Sequence, residues 1–195
     1  LKGRRLLVAV SGSIAAVKTP LLVSALVKAG AEVRCLVTPS AAKLVSPLAL
    51  ASLSRHRCYT EDDGWDSSCS RPLHIELAEW VELVLLAPLS ATSLSRWSQG
   101  SADGLLASVL LACECPVLAA IAMNTAMWSH PAVQRNWQVV QTFPGVVPLM
   151  PQPGLLACDR LGDGRMADPT LIELATSSLF SRGDTGPVAN RDWSG

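Results

Sequence analysis

The sequence is poor in charge: 16% of its 195 residues are Asp, Glu, Lys or Arg, against 49% hydrophobic residues, where an ordinary soluble domain carries about 25% charge. Much of the chain must therefore be covered by itself or by copies of itself. Sixteen basic residues balance sixteen acidic ones, so the electrostatic footprint of a nucleic-acid binder or of a protein held to an anionic membrane is missing. No CxxC pair occurs among the six cysteines (Cys35, Cys58, Cys69, Cys113, Cys115, Cys158), and no signal-peptide pattern opens the chain. Reduced thiols in a cytoplasm are expected. The first residue is Leu rather than Met, so the chain reads as processed or trimmed. The longest apolar stretch, 104–122, is broken by Glu114 and Pro116 and is too mixed for a membrane span. Repeats at solenoid spacing are lacking. So are a GxGxxG fingerprint and a GxxxxGK[ST] loop, which disfavours a dinucleotide or a nucleoside triphosphate. No metal is expected.

What is present alternates. Leu6–Val10 is a short apolar run followed by Ser11-Gly12-Ser13-Ile14 and a helical pattern that stops at Gly30, which reads as strand, tight turn and helix. A second strand over Val33–Thr38 leads through Pro39 and Ser40 into a helical segment divided by Pro47. Residues 61–71 are polar and read as a mobile loop, followed by a helix over His74–Trp80 and a strand over Leu83–Ala87. Pro88 to Thr92 turns into a helix, and another helix runs from about Asp103 to Ala112. After a strand over Val117–Ala122 come a helix from Pro131 to Val139 and a short strand at Val146–Val147. A Gly- and Pro-rich loop region spans 150–168, and a last helix spans Pro169–Phe180. This order predicts a doubly wound α/β fold, a mainly parallel sheet in a three-layer sandwich of Rossmann or flavodoxin type. Residues 181–195 have turn-forming composition and read as a linker.

Ligands in such sheets bind outside the carboxyl ends of the strands, and three predicted strand ends carry small hydroxyl residues that start helices. Gly12, Ser13 and Ile14 form one cluster, Thr38 and Ser40 a second, and Pro88, Leu89, Ser90, Ala91 and Thr92 a third. Free backbone N–H groups at helix starts favour phosphate, so the set suits a mononucleotide, although each cluster taken alone is equally a helix cap. A fourth strand end, at Ala122, delivers one amide, Asn124, between Met123 and Met127. It is placed either to meet a ligand or to cap the next helix. His74 opens a helix after the polar loop, where an imidazole can face a crevice. Cys158 lies in a segment with glycines on both sides, Gly154 and Gly162, which could fold over a site.

Six short motifs stand in order: Gly-Ser-Ile-Ala-Ala at 12–16, His-Ile-Glu-Leu at 74–77, Ala-Pro-Leu-Ser-Ala-Thr-Ser at 87–93, Ile-Ala-Met-Asn-Thr-Ala-Met-Trp at 121–128, Leu-Ala-Cys at 156–158 and Gly-Arg-Met-Ala at 164–167. Together they resemble the flavin-containing cysteine decarboxylases, from Leu1 to about Phe180. Thr92, Ser93, Ile121, Gly104 and Asp159 depart from the family's usual residues. Thr92 stands where an Asn is usual near the flavin, and a hydroxyl donates one hydrogen bond where an amide donates two.

The resemblance implies a flavin-binding domain over 1–180, FMN as cofactor, and Gly12, Ser13, Ile14, Thr38, Ser40, Pro88, Leu89, Ser90, Ala91, Thr92 and Ala122 around it. It further implies that FMN oxidises the substrate thiol, so that CO2 is lost beta to a C=S group and the electron pair has sulfur to run onto. His74 is then the base for thiol oxidation, Asn124 holds the substrate carboxylate, and Cys158 donates the proton in the closing reduction. Met127, Arg165 and Met166 complete the substrate contacts. The end of the chain, 190–195, resembles the lead-in to a ligase domain, which points to 4'-phosphopantothenoylcysteine and coenzyme A synthesis. A peptidyl cysteine is the alternative substrate. A non-catalytic regulatory flavoprotein is the alternative from another class, although the long acidic tail of such proteins is not seen. Homotrimers, or dodecamers of four trimers with the flavin between subunits, are implied, and Trp80, Trp97 and Trp128 are compatible with an apolar interface.

Overall fold

The computed structural model describes residues 1–66, 68, 70–155 and 161–183. Its centre is a six-stranded parallel sheet: β1 (Arg5–Val10), β2 (Glu32–Val37), β3 (Cys58–Tyr59), β4 (Leu83–Leu89), β5 (Val117–Ile121) and β6 (Val146–Leu149). The spatial order is β3-β2-β1-β4-β5-β6, the Rossmann order, in which connections leave β1 and β4 towards opposite ends of the sheet. The sequence supports this directly, because strands covered on both faces read as continuous apolar runs. Every residue of β4 and β5 is buried.

Two helical layers cover the sheet. On one face α1 (Thr19–Lys28), α2 (Pro47–Ser54) and α8 (Pro169–Arg182) pack over Leu6, Val8, Val33, Cys35, Leu85 and Leu118. On the other, α3 (Leu73–Trp80), α4 (Ala91–Ser98), α5 (Leu105–Ala112) and α7 (Pro131–Gln141) pack over Leu7, Leu36, Val84, Leu86 and Ala119. A short helix, α6 (Thr125–Trp128), follows β5. The doubly wound three-layer fold expected from the sequence is the fold observed.

Several details differ from the sequence reading, each for a physical reason. β4 does not stop at Ala87 but runs on to Leu89, and the register with β5 slips by one residue between Leu86 and Leu89. Such a bulge takes Pro88, which has no N–H to give, out of the ladder. The Ala87–Pro88 peptide is cis. In the polar segment, Asp62–Trp65 is a 3-10 turn rather than loose loop. Here the Glu61 carboxylate accepts from the Leu105 N–H at 2.9 and 3.2 Å, which caps α5 where Gly104 has no side chain to do so. The region 150–168 is not only loop: β7 (Gln152–Leu155) and β8 (Leu161–Arg165) pair antiparallel as a hairpin. Of the three tryptophans considered for an interface, Trp97 and Trp128 belong to the chain's own core, stacked edge-on against Phe143 and Trp137 at 6.1 and 6.2 Å. Trp80 lies under the Arg34 guanidinium at 4.1 Å.

No disulfide links Cys35, Cys58, Cys113 and Cys115. All four are buried, and burial, aided by the charge of Asp63, pushes the Cys58 thiol up to about 12. No helix among the described residues is long and apolar enough to cross a membrane.

Leu85 is fully buried at the centre of β4, between β1 and β5. Leu85→Ala is expected to lower unfolding free energy by about 2–5 kcal/mol, read from the urea midpoint at unchanged slope. A loss under about 1 kcal/mol would mean that this layer repacks freely.

Candidate functional site

A cavity of about 590 Å³ opens at the carboxyl ends of β1, β4 and β5, the switch point where such sheets hold ligands. Its walls come from four places: 12–18 after β1, Ser90 to Thr92 after β4, 122–127 after β5, and Gly164 to Met166 on and after β8.

The stretch after β1 is not one α-helix. Ile14–Lys18 is a 3-10 turn that runs into α1, and Ser13 caps it by accepting from the Ala15 N–H at 3.4 Å. In a 3-10 helix residues three apart lie one above the other. Ile14 and Val17 therefore form one apolar strip along the wall, and Ala15 and Lys18 another. Ile14 and Val17 are 55% and 53% exposed, and Met127 across the cavity is 48% exposed. Large apolar side chains facing water across one cavity mark a place for an apolar ligand body.

The floor is held by hydroxyls that the sequence reading passed over. Buried Ser11 donates to the Pro88 carbonyl at 2.7 Å and accepts from the Ser90 N–H at 2.8 Å, which ties the end of β1 to the end of β4. Thr19, also buried, donates to the Ala87 carbonyl at 3.0 Å. Ser90 caps α4 by accepting from the Ser93 N–H at 3.3 Å. A Cβ on Gly12 would come 2.6 Å from the Ser40 Cβ, so only glycine lets the loops after β1 and β2 meet.

The expected residues divide. Gly12, Ser13, Ile14, Ser90, Ala91, Thr92, Ala122, Asn124, Met127, Arg165 and Met166 all line this cavity. Pro88 and Leu89 do not; they are buried in β4 beneath it. Thr38 lines a small neighbouring cleft with Glu61 and Arg96, and its hydroxyl accepts from the Ala41 N–H at 3.3 Å. Ser40 packs against Gly12. His74 lines a different cleft with Asp63, Trp65, Arg71 and Leu105, which shares no residue with the first. Cys158 lies outside the described residues.

Asn124 serves both of its anticipated purposes in geometry. Its Oδ1 accepts from the Ala126 N–H at 2.8 Å and caps α6, while the residue stays exposed on the cavity wall. The hairpin docks beside it: Met123 N–H donates to the Gly164 carbonyl at 3.0 Å. A Cβ on Gly164 would fall on the Met123 carbonyl oxygen, so this close backbone approach requires glycine. Lys18 and Arg165 are the two ionisable residues of the wall. Both reach Asp168 Oδ1, at 3.3 and 2.7 Å, and the Arg165 hydrogen bond, then Lys18, holds the Asp168 carboxyl below the usual carboxylate range. Lys18, Ser11 and Asp168 were absent from the sequence-derived site. Lys18 could have been found from its three-residue spacing to Ala15, had the stretch been read as 3-10.

Residues 1–179 match the Flavoprotein family, and the chain belongs to it. It is 39% identical over 191 residues to the coenzyme A biosynthesis bifunctional protein CoaBC of Bacillus subtilis, an alignment covering 98% of this chain and 47% of that protein. It thus spans about half the length of that relative. Similarity to the probable phosphopantothenoylcysteine decarboxylase of Streptococcus mutans is 39% identity over 183 residues, covering 90% of this chain and 99% of that one. Among solved structures, a Cys-to-Ser mutant PPC decarboxylase complexed with pantothenoylaminoethenethiol superposes with a TM-score of 0.84 at 35% identity, covering 93% of this chain and all of the other. The FMN binding protein AtHal3 gives a TM-score of 0.81 at 35% identity over 93% and 98% of the two chains.

Gly164→Ala is expected to undock the hairpin from the loop after β5. Hydrogen exchange at the Met123 amide should then speed by about tenfold or more, with the strands of the main sheet unchanged. Unaltered protection at Met123 would show that the contact is not needed.

Proposed function

We propose that this chain binds FMN in the cavity above β1, β4 and β5 and decarboxylates 4'-phosphopantothenoylcysteine to 4'-phosphopantetheine, a reaction of coenzyme A synthesis. The observation that carries the reading is the wall itself: apolar Ile14, Val17 and Met127 are exposed around one amide, Asn124, with no acidic residue among the lining. These residues fit FMN. A flat apolar ring system would cover Ile14, Val17 and Met127, while the loop at Gly12 and Ser13 and the capped start of α4 at Ser90 offer N–H and hydroxyl donors for a phosphate. When bound, FMN would supply the oxidation of the substrate thiol and its later reversal, without which CO2 loss leaves a carbanion with no acceptor for its charge.

The chain's own residues do the rest. Asn124 orients the substrate carboxylate through a neutral amide; an arginine in its place would stabilise a charge that is about to disappear and so raise the barrier. Met127 and Met166 keep water from the reacting carbon. His74 takes the proton released by the thiol, and Cys158 returns one at the end. In one chain His74 and Asn124 line separate clefts, so the working unit in this reading is a homotrimer, alone or as a dodecamer of trimers, in which a neighbouring copy brings its His74 to this cavity. Residues 181–195 then lead towards a ligase domain of a longer cytoplasmic protein, as the CoaBC relative supports.

The test is incubation of the FMN-loaded protein with phosphopantothenoylcysteine under mass spectrometry. Saturated phosphopantetheine is expected; unchanged substrate with flavin still bound would overturn the reading. Asn124→Asp should lower kcat/KM by about a hundredfold or more, since like charges in close contact cost several kcal/mol. His74→Asn should slow flavin bleaching by substrate by about a hundredfold, the lower end for a lost general base. Cys158→Ser should stop at the ene-thiol, two hydrogens short of product. Wild-type bleaching in the His74 variant, or saturated product from the Cys158 variant, would remove that residue from its role.

A further inference from the structure

We propose that Lys18 and Arg165 form a second anion subsite of this cavity, one that takes the phosphate monoester of the substrate rather than that of the flavin. The proposal rests on the activity proposed above and names the part of the substrate that the chain selects.

The two cations are the ionisable residues of a wall that otherwise carries hydroxyls, one amide and apolar groups. They come from separate parts of the chain, the end of the 3-10 turn and the end of β8, yet converge on a single oxygen of Asp168. Asp168 is not itself part of the wall. The cluster thus keeps a net positive charge beside the cavity with its carboxylate set behind it.

Its position separates it from the hydroxyl-lined end. Ser13 begins the 3-10 turn and Lys18 ends it. Five residues at about 2 Å each put the two backbones roughly 10 Å apart, too far to share one phosphate. A ligand set with a single anionic group leaves one end unused. A flavin monophosphate together with a phosphorylated substrate fills both. A peptidyl cysteine brings its reacting carboxylate but no phosphate, so the pair favours the phosphorylated substrate.

Asp168 also predicts a result that misfolding cannot mimic. Its side chain does not cap α8, and it competes with any incoming anion for both cations. Asp168→Asn should therefore tighten phosphate binding where the loss of either cation weakens it.

Titration calorimetry of the FMN-loaded protein with 4'-phosphopantetheine and with pantetheine reads this directly. The wild type is expected to favour the phosphorylated ligand by about thirtyfold, in line with close charge pairing. Lys18→Gln/Arg165→Gln should reduce the preference to about threefold or less at unchanged flavin content. Asp168→Asn should raise it by about threefold. Equal wild-type affinities would overturn the proposal, as would equal losses for both ligands in the double variant. Loss of FMN with the preference intact would assign the pair to the flavin phosphate instead, and overturn it too. A preserved phosphate preference in a protein that releases no CO2 would keep the subsite and overturn the activity.

Discussion

The hydroxyl of Ser11 holds the site together. In a doubly wound sheet the chain leaves neighbouring strands in opposite directions at the switch point, and backbone groups there lose their ladder partners. Ser11 meets two of them, the Pro88 carbonyl and the Ser90 N–H, from a fully buried position, and Thr19 meets a third at Ala87. Leaving such groups unpaired costs about 1–3 kcal/mol each. Because these bonds are made inside the protein, the floor of the cavity is set before any ligand arrives, and the N–H groups at the starts of α4 and the 3-10 turn point at a fixed place.

Around that floor the chain breaks ordinary folding rules in ways that serve binding. Ile14, Val17 and Met127 expose apolar surface although neighbouring residues are fully buried, and a 3-10 turn stands where a regular helix would pack better. Local choices that oppose stability concentrate at functional sites. The same holds for charge. In a chain with so little of it, two cations and a carboxylate are gathered at one rim of one cavity. The hairpin contributes Arg165 to that cluster and Gly164 to the backbone contact with Met123, so the electrostatics of the rim depend on the docking of β8.

The alternation of apolar runs with helical periods made the sheet, its parallel sense and both helical layers legible, because a strand covered on both faces has little freedom of composition. What could not be read depends on contacts distant in sequence. The β7–β8 hairpin, Gln-Pro-Gly-Leu against Leu-Gly-Asp-Gly-Arg, has neither alternation nor β-branched residues. Its place is fixed by the Met123–Gly164 approach, which no local pattern announces. The cap of α5 comes from Glu61, forty-four positions upstream, so Gly104 looks like a defect until both are seen together. Thr38 and Pro88 are small or turn-forming residues at strand ends, as expected of ligand contacts, but the structure spends them on a 3-10 cap and on a bulge.

Motif reading groups residues by chemistry, and the fold groups them by distance; His74 shows the gap between the two. Its position at the start of α3, on the face of the sheet covered by α3 and α5, follows from the helical period of 73–80 and was anticipated. Its separation from Asn124 follows from topology, because α3 leads into β4 and packs beside α5, whereas Asn124 follows β5 above the switch point. Chemistry that needs both side chains on one substrate requires those two surfaces to meet. Within one chain, bringing α3 to the loop after β5 would break the buried packing of Leu73 and Leu77 against the sheet, at several kcal/mol for each large apolar side chain removed from the core. Bringing up a second copy breaks nothing, and a surface with few charges to desolvate lowers the cost of that approach.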